Sequence, residues 1–123
     1  MAKILIVDDD GALRTLLGLC FLRAGHSIVV ANDGAAGLAC VATHAPDLLV
    51  TDLNMPVLDG LALLRRLRAD GHVALPVIVL TASADQQVAA RAAGADAFLV
   101  KPVDLCALVA TVDRVLADEY DVA

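Results

Sequence analysis

Pro46-Asp47-Leu48-Leu49-Val50-Thr51-Asp52-Leu53-Asn54-Met55-Pro56-Val57-Leu58-Asp59-Gly60 carries a short apolar run straight into a carboxylate and then into a loop rich in turn residues. The run Leu48 to Thr51 has the continuous apolar character of a strand buried on both faces. Asp52 stands where that strand ends. Outward along the chain the same design returns three times. Ile4-Leu5-Ile6-Val7 leads into Asp8-Asp9-Asp10, Val77-Ile78-Val79-Leu80 into Thr81, and Phe98-Leu99-Val100 into Lys101. If these runs are parallel strands of one sheet, their carboxyl ends share an edge, where open α/β sheets place their sites. Acids, a hydroxyl and an amine then converge on one shallow cleft.

Helical patterns fill the intervals. Leu13, Leu16, Leu17, Cys20 and Ala24 recur at helical spacing and stop at Gly25, so they are expected to form the buried stripe of a first helix, with Cys20 as a small buried hydrophobe. Ser27-Ile28-Val29-Val30 reads as a second strand, and Asn32-Asp33-Gly34 opens a helix carrying Leu38, Val41 and Ala42. A third helix follows Asp59-Gly60 with Leu61, Leu64 and Leu67, ending near Gly71; Pro76 opens the fourth strand, where a missing donor is tolerated. An Ala-rich, weakly amphipathic helix is expected over about 84 to 93, before Gly94. Leu105, Leu108, Val109, Val112 and Leu116 mark a final amphipathic helix. Strict alternation of five strands and five helices predicts an α/β fold: a doubly wound parallel sheet, covered on both faces and joined by right-handed crossovers.

The 123 residues suit a single domain over 1–123, with no repeats, low-complexity segments or linkers. A net charge of −6 opposes non-specific attraction to nucleic acid or anionic membrane. Arg65, Arg66 and Arg68 form the basic cluster and read as a solvated helix face. Although 59% of residues are hydrophobic, no run approaches the roughly 20 apolar residues of a membrane span. The apolar stretch after Lys3 is cut short by Asp8, too brief for a signal-peptide core, so a cytoplasmic protein is expected. Cys20, Cys40 and Cys106 lack paired spacing and read as structural; His26, His44 and His72 read as surface residues.

Adjacent carboxylates at about 4 Å repel by roughly 4 kcal/mol at an effective dielectric of about 20. A cation should therefore occupy the cleft, and a hard divalent ion such as Mg²⁺, bound through one or two carboxylates, suits oxygen donors. Asp9 and Asp52 are the expected direct ligands. Beside such an ion an Asp can attack phosphorus to give an acyl phosphate. Lys101 would neutralise phosphoryl oxygens as a point charge and Thr81 would hydrogen-bond one of them. Each residue also has a plain explanation: Asp10 as the cap of the first helix, Thr81 or Ser83 as the cap of the fourth, Lys101 as a solvated amine.

Taken together, Val7-Asp8-Asp9, the segment from Pro46 to Gly60, Thr81-Ala82 and Lys101-Pro102 closely resemble the receiver domain of bacterial two-component response regulators, over essentially the whole chain. The resemblance implies a flavodoxin-like (βα)5 fold with strand order 2-1-3-4-5. It makes Asp52 the phospho-acceptor, Asp9 a metal ligand with Asp8 in support, and the backbone carbonyl of Asn54 a third protein ligand for Mg²⁺, with Mn²⁺ as an alternative. Thr81 and Lys101 become the phosphoryl-contacting pair, Phe98 takes the place of the aromatic switch, and the Lys101-Pro102 bond is implied to be cis. It further implies a sensor histidine kinase or histidine phosphotransfer protein as donor, and a downstream protein target on the face formed by the fourth helix, fifth strand and fifth helix. Phosphorylation from small donors and self-catalysed dephosphorylation would make the chain chemically active without being a conventional enzyme. The absence of a following domain resembles the stand-alone, chemotaxis-regulator-like members.

Two other readings compete. Ile4 to Leu13 also resembles the opening motif of haloacid-dehalogenase-type phosphatases, with Asp8 as nucleophile and Asp10 as acid/base, but Ala12 replaces the usual Thr or Val and the segment from 46 to 60 goes unexplained. A flavodoxin-like binding module for flavin phosphate would need donors after the first strand, where three carboxylates stand instead.

Overall fold

The computed structural model describes residues 1–120, with side chains through 117. Its elements run β1 (Lys3–Val7), α1 (Gly11–Arg23), β2 (Ser27–Ala31), α2 (Gly34–His44), β3 (Leu48–Thr51), α3 (Gly60–Ala69), β4 (Val77–Thr81), α4 (Gln87–Ala92), β5 (Ala97–Val100) and α5 (Leu105–Tyr120). The five strands form one parallel sheet in the order β2-β1-β3-β4-β5.

Alternation along the strands divides the core into two layers. Ile4, Ile6, Leu48, Val50, Ile78 and Leu80 pack against Leu17 and Phe21 of α1 and Leu108, Val112, Val115 and Leu116 of α5. Leu5, Val7, Leu49, Val77 and Val79 pack on the opposite face against Val41 of α2, Leu63, Leu64 and Leu67 of α3, and Ala90 of α4. Both sides of β1, β3 and β4 are thus buried, which is why, after Lys3 at the entry of β1, those strands stay apolar until their carboxyl ends.

The expected stripe on α1 is corrected. Leu17, Gly18 and Phe21 are the buried positions, whereas Leu16 is 48% exposed, Cys20 is half-buried and Ala24 is exposed. This helix is apolar on every side through Leu16, Leu17, Leu19, Phe21 and Leu22, so periodicity alone did not select a face. Size and fit selected it: Phe21 fills the core, and Gly18 brings the helix so near β2 that an added Cβ would meet Ile28 Cδ1 at 2.8 Å. The fourth helix is corrected as well. A 3₁₀ turn, Ala84–Gln86, precedes a six-residue α4, and Ser83 at its start makes no side-chain cap bond.

Arg68 is not a solvated member of its cluster. Its Nη1 donates to the carbonyls of His72 at 2.6 Å and Leu75 at 2.7 Å, and its Nη2 to that of Gly94 at 2.6 Å. It thereby staples the end of α3 to the loops before β4 and β5. His26 also has an internal task, since its Nδ1 accepts the Ala2 N–H at 3.0 Å. Cys40 is half-buried against the α2 side of the core, and Cys106 is exposed.

Candidate functional site

Three residues of the cleft are placed by the last rungs of the sheet itself. The Asp8 N–H donates to Ala31 O at 3.3 Å, the Asp52 N–H to Val7 O at 3.1 Å, and the Lys101 N–H to Thr81 O at 2.8 Å, each one residue beyond its strand. Asp52 is fixed further by its surroundings. Thr51 Oγ1 donates to the Asp52 carbonyl at 2.9 Å, and the N–H groups of Leu53 and Asn54 donate to Asp52 Oδ1 at 2.7 and 3.3 Å. Gly60 lets the start of α3 press on this point: any Cβ there would collide with the Asp52 carbonyl oxygen and meet Leu53 Cα at 2.7 Å. Asp59 caps the helix by accepting from the Ala62 N–H at 2.8 Å.

Lys101 Nζ lies between two carboxylates, 3.0 Å from Asp8 Oδ2 and 3.1 Å from Asp52 Oδ2. Those carboxylates are 3% and 10% exposed at the side chain. Burial holds the Asp8 carboxyl above its ordinary 3.8, against the lowering influence of the Asp10 N–H and Lys101. For Lys101 burial opposes the charge, but the bonds to Asp8 and Asp52 outweigh it and hold the ammonium above its ordinary 10.5. Lys101 is therefore charged and paired, not a solvated amine. The Lys101–Pro102 peptide bond that follows it is cis.

Asp9 is exposed at the rim, and one oxygen from each of Asp8, Asp9 and Asp52 can be chosen so that all lie within 4.8 Å of one another. This donor set consists of carboxylate oxygens alone and is only partly offset by Lys101, which fits a hard divalent cation. Asp10 stands apart. Its Oδ1 accepts from the N–H groups of Ala12 and Leu13 at 3.0 and 3.2 Å, so it caps α1 and does not join Asp8 as an acid/base partner. The arrangement the phosphatase reading needs is not formed.

Thr81 ends β4 with no solvent exposure. By strand alternation its side chain shares a face with Val77 and Val79, the side on which α3 and α4 pack. Phe98, paired with Val79, packs half-buried into the same layer. The hydroxyl and the ring thus lie on one side of the sheet, next to the short α4. Two contributions were not read from the sequence. Arg14 Nη1 donates to the Asp8 carbonyl at 2.6 Å and clasps the acidic loop. The Asn54 side chain reaches Thr81 and Ser83 across the cleft, at 3.3 and 3.5 Å. For Arg14 the available signal was its place in the first turn of α1, just past the acidic loop; for Asn54 there was none, because the contact joins residues far apart in the chain.

A family model described as response regulator receiver domain matches residues 4–113, and the chain belongs to that family. Response regulator MprA of Mycobacterium leprae (strain TN) is 46% identical over 116 residues, covering 93% of this chain and 50% of that protein. The chain therefore spans about half the length of the curated relatives it matches. Among solved structures, the Francisella response regulator 1452 receiver domain is 32% identical with a TM-score of 0.90, covering 96% of this chain and 98% of that one. Vibrio cholerae chemotaxis protein CheY4 is 32% identical with a TM-score of 0.87, covering 94% and 98%. The expected flavodoxin-like fold and the receiver family both hold.

Proposed function

We propose that this receiver takes a phosphoryl group from a histidine kinase or histidine phosphotransfer protein onto Asp52. The observation that carries this reading is the Lys101 ammonium held 3.0 and 3.1 Å from the Asp8 and Asp52 carboxylates, with Asp9 at the open rim. A carboxylate oxygen of Asp52 attacks phosphorus in line; the O–P bond forms, the N–P bond of the donor phosphohistidine breaks, and the electron pair returns to the imidazole nitrogen. Lys101, already against Asp52, neutralises the phosphoryl oxygens as they arrive. Backbone N–H groups of Leu53 and Asn54 hold the carboxylate in one orientation while it reacts. Asp9 and Asp52, with Asp8 in support and the Asn54 backbone carbonyl, would hold Mg²⁺ or Mn²⁺, which when bound offsets the carboxylates and draws charge from the phosphoryl oxygens.

Thr81 then donates its hydroxyl to the phosphoryl group, Phe98 turns into the space this vacates, and the α4-β5-α5 face changes its population of two arrangements. That face exposes Val88 at 81% and Val100 at 45%, contacts suited to a protein target and not directly to nucleic acid. Among the described residues no helix is long and apolar enough to cross a membrane. The reading is of a cytoplasmic phosphoacceptor that uses small donors and slowly dephosphorylates itself, not of a conventional enzyme. Incubation with acetyl phosphate and Mg²⁺, followed by intact mass, should show one added phosphoryl group on the wild type and none on Asp52→Asn. Equal labelling of the two would overturn the assignment.

A further inference from the structure

Asn54 is exposed, two residues past the acceptor carboxylate, and its amide spans the cleft. Nδ2 donates to Thr81 Oγ1 at 3.3 Å and to Ser83 Oγ at 3.5 Å. The Ser83 N–H donates to the same Thr81 oxygen at 3.3 Å. A hydroxyl has two lone pairs and one proton. Both lone pairs of the fully buried Thr81 hydroxyl are engaged, and among the described residues no acceptor takes its proton.

A phosphoryl oxygen on Asp52 requires the opposite use of this group, as a donor. Thr81 is β-branched and restricted at χ1, so turning its hydroxyl toward Asp52 draws on its backbone as well as its side chain. Such movement lengthens two bonds that are already long, and the two arrangements exclude one another. The segment that would follow is weakly built. It starts at Ser83 without a side-chain cap, passes through a 3₁₀ turn in which Gln86 Oε1 is buried without a hydrogen-bond partner, and continues into a helix of six residues.

We propose that the Asn54 side-chain amide is the latch of the resting state, holding Thr81 and Ser83 until a phosphoryl group on Asp52 competes for the Thr81 hydroxyl. The proposal rests on Asp52 as acceptor and gives the Asn54 side chain a positioning role separate from its backbone carbonyl. Removing the amide shifts the resting protein toward the switched arrangement by about five-fold, the factor one neutral hydrogen bond is worth.

The test is amide NMR of the full chain as wild type, Asn54→Leu, Ser83→Ala, Thr81→Val and the Asn54→Leu/Thr81→Val double variant, each without a donor and with beryllofluoride plus Mg²⁺. The two wild-type spectra define the ends of the equilibrium. Resting resonances of residues 82–92 in Asn54→Leu should move toward the beryllofluoride end, with Ser83→Ala moving the same way by less. Asn54→Leu should shift the Thr81→Val background by less than it shifts the wild type, since only the longer bond to Ser83 Oγ remains to be lost there. Resting Asn54→Leu spectra that stay at the wild-type end overturn the latch while leaving Asp52 as acceptor intact. An equal effect of Asn54→Leu with and without the Thr81 hydroxyl does the same. A wild type that ignores beryllofluoride removes the acceptor reading and the latch with it.

Discussion

Lys101→Met takes the cation from between Asp8 and Asp52 and leaves an apolar side chain of similar length. Oxygens of the two carboxylates lie within 4.8 Å of each other. At that separation, with an effective dielectric of about 20, two unit charges repel by roughly 3.5 kcal/mol. Lys101 offsets this through bonds of 3.0 and 3.1 Å. Removing one partner of a buried pair typically costs about 3–5 kcal/mol. The lower end, about 3 kcal/mol, is expected here because Met no longer requires the desolvation of an ammonium. Urea unfolding at neutral pH without divalent metal measures the loss directly. The pH dependence adds a second reading. Asp8 has a folded pKa above its unfolded value, with burial the largest cause, so its ionisation costs stability at neutral pH, and that stability returns as pH falls through the folded pKa. Without Lys101 this cost is larger, so the gap between variant and wild type narrows on acidification. Lys101 has its folded pKa raised above 10.5, so its contribution is complete below that value and is lost as pH rises through the folded pKa. The gap should close there too. A loss under about 1 kcal/mol at neutral pH, the range of an exposed ion pair, or a gap independent of pH, would show that Lys101 does not offset a buried pair of carboxylates.

Gly60→Ala forces a methyl against backbone at Asp52 and Leu53, and neither can give way locally; a loss of about 2 kcal/mol or more and slower phosphorylation from acetyl phosphate are expected, checked by urea unfolding and intact mass. Asp9→Asn should show a much smaller Mg²⁺-dependent rise in Tm than the wild type, measured by thermal melts with and without the ion. Val57 is a β-branched residue at φ 71° with 82% exposure, in the turn closed by the Leu58 N–H on Pro56 O. Val57→Gly relieves left-handed strain worth about 1–2 kcal/mol, partly offset by about 0.5–1 kcal/mol of added unfolded-state freedom; a higher Tm is expected, and a lower one would count against the strain.

The strands were legible because β1, β3 and β4 are buried on both faces and end abruptly in chemistry. Leu48 to Asp52 could be read directly, and its order of apolar residues and carboxylate is what the ladder uses to deliver Asp52 beside Asp8. On α1 the signal failed, since a helix apolar all round offers no preferred face until Phe21 and Gly18 are fitted against the sheet. Arg68 was misread for a different reason: its acceptors are carbonyls of loops around positions 72–75 and 94, which no local pattern announces. The Asn54 contact with Thr81 and Ser83 belongs to the same class, with partners 27 and 29 residues away. Charged ends of strands can be read from sequence, whereas polar contacts between loops emerge only from the assembled fold.

On the proposed function, Asp52 itself becomes the acyl phosphate. Borohydride reduces an acyl phosphate to an alcohol, converting the phosphorylated Asp to homoserine. Protein treated with acetyl phosphate and Mg²⁺, reduced, digested and mapped by peptide mass should carry homoserine at position 52 alone. Homoserine at position 8, with 52 unchanged, would contradict the account.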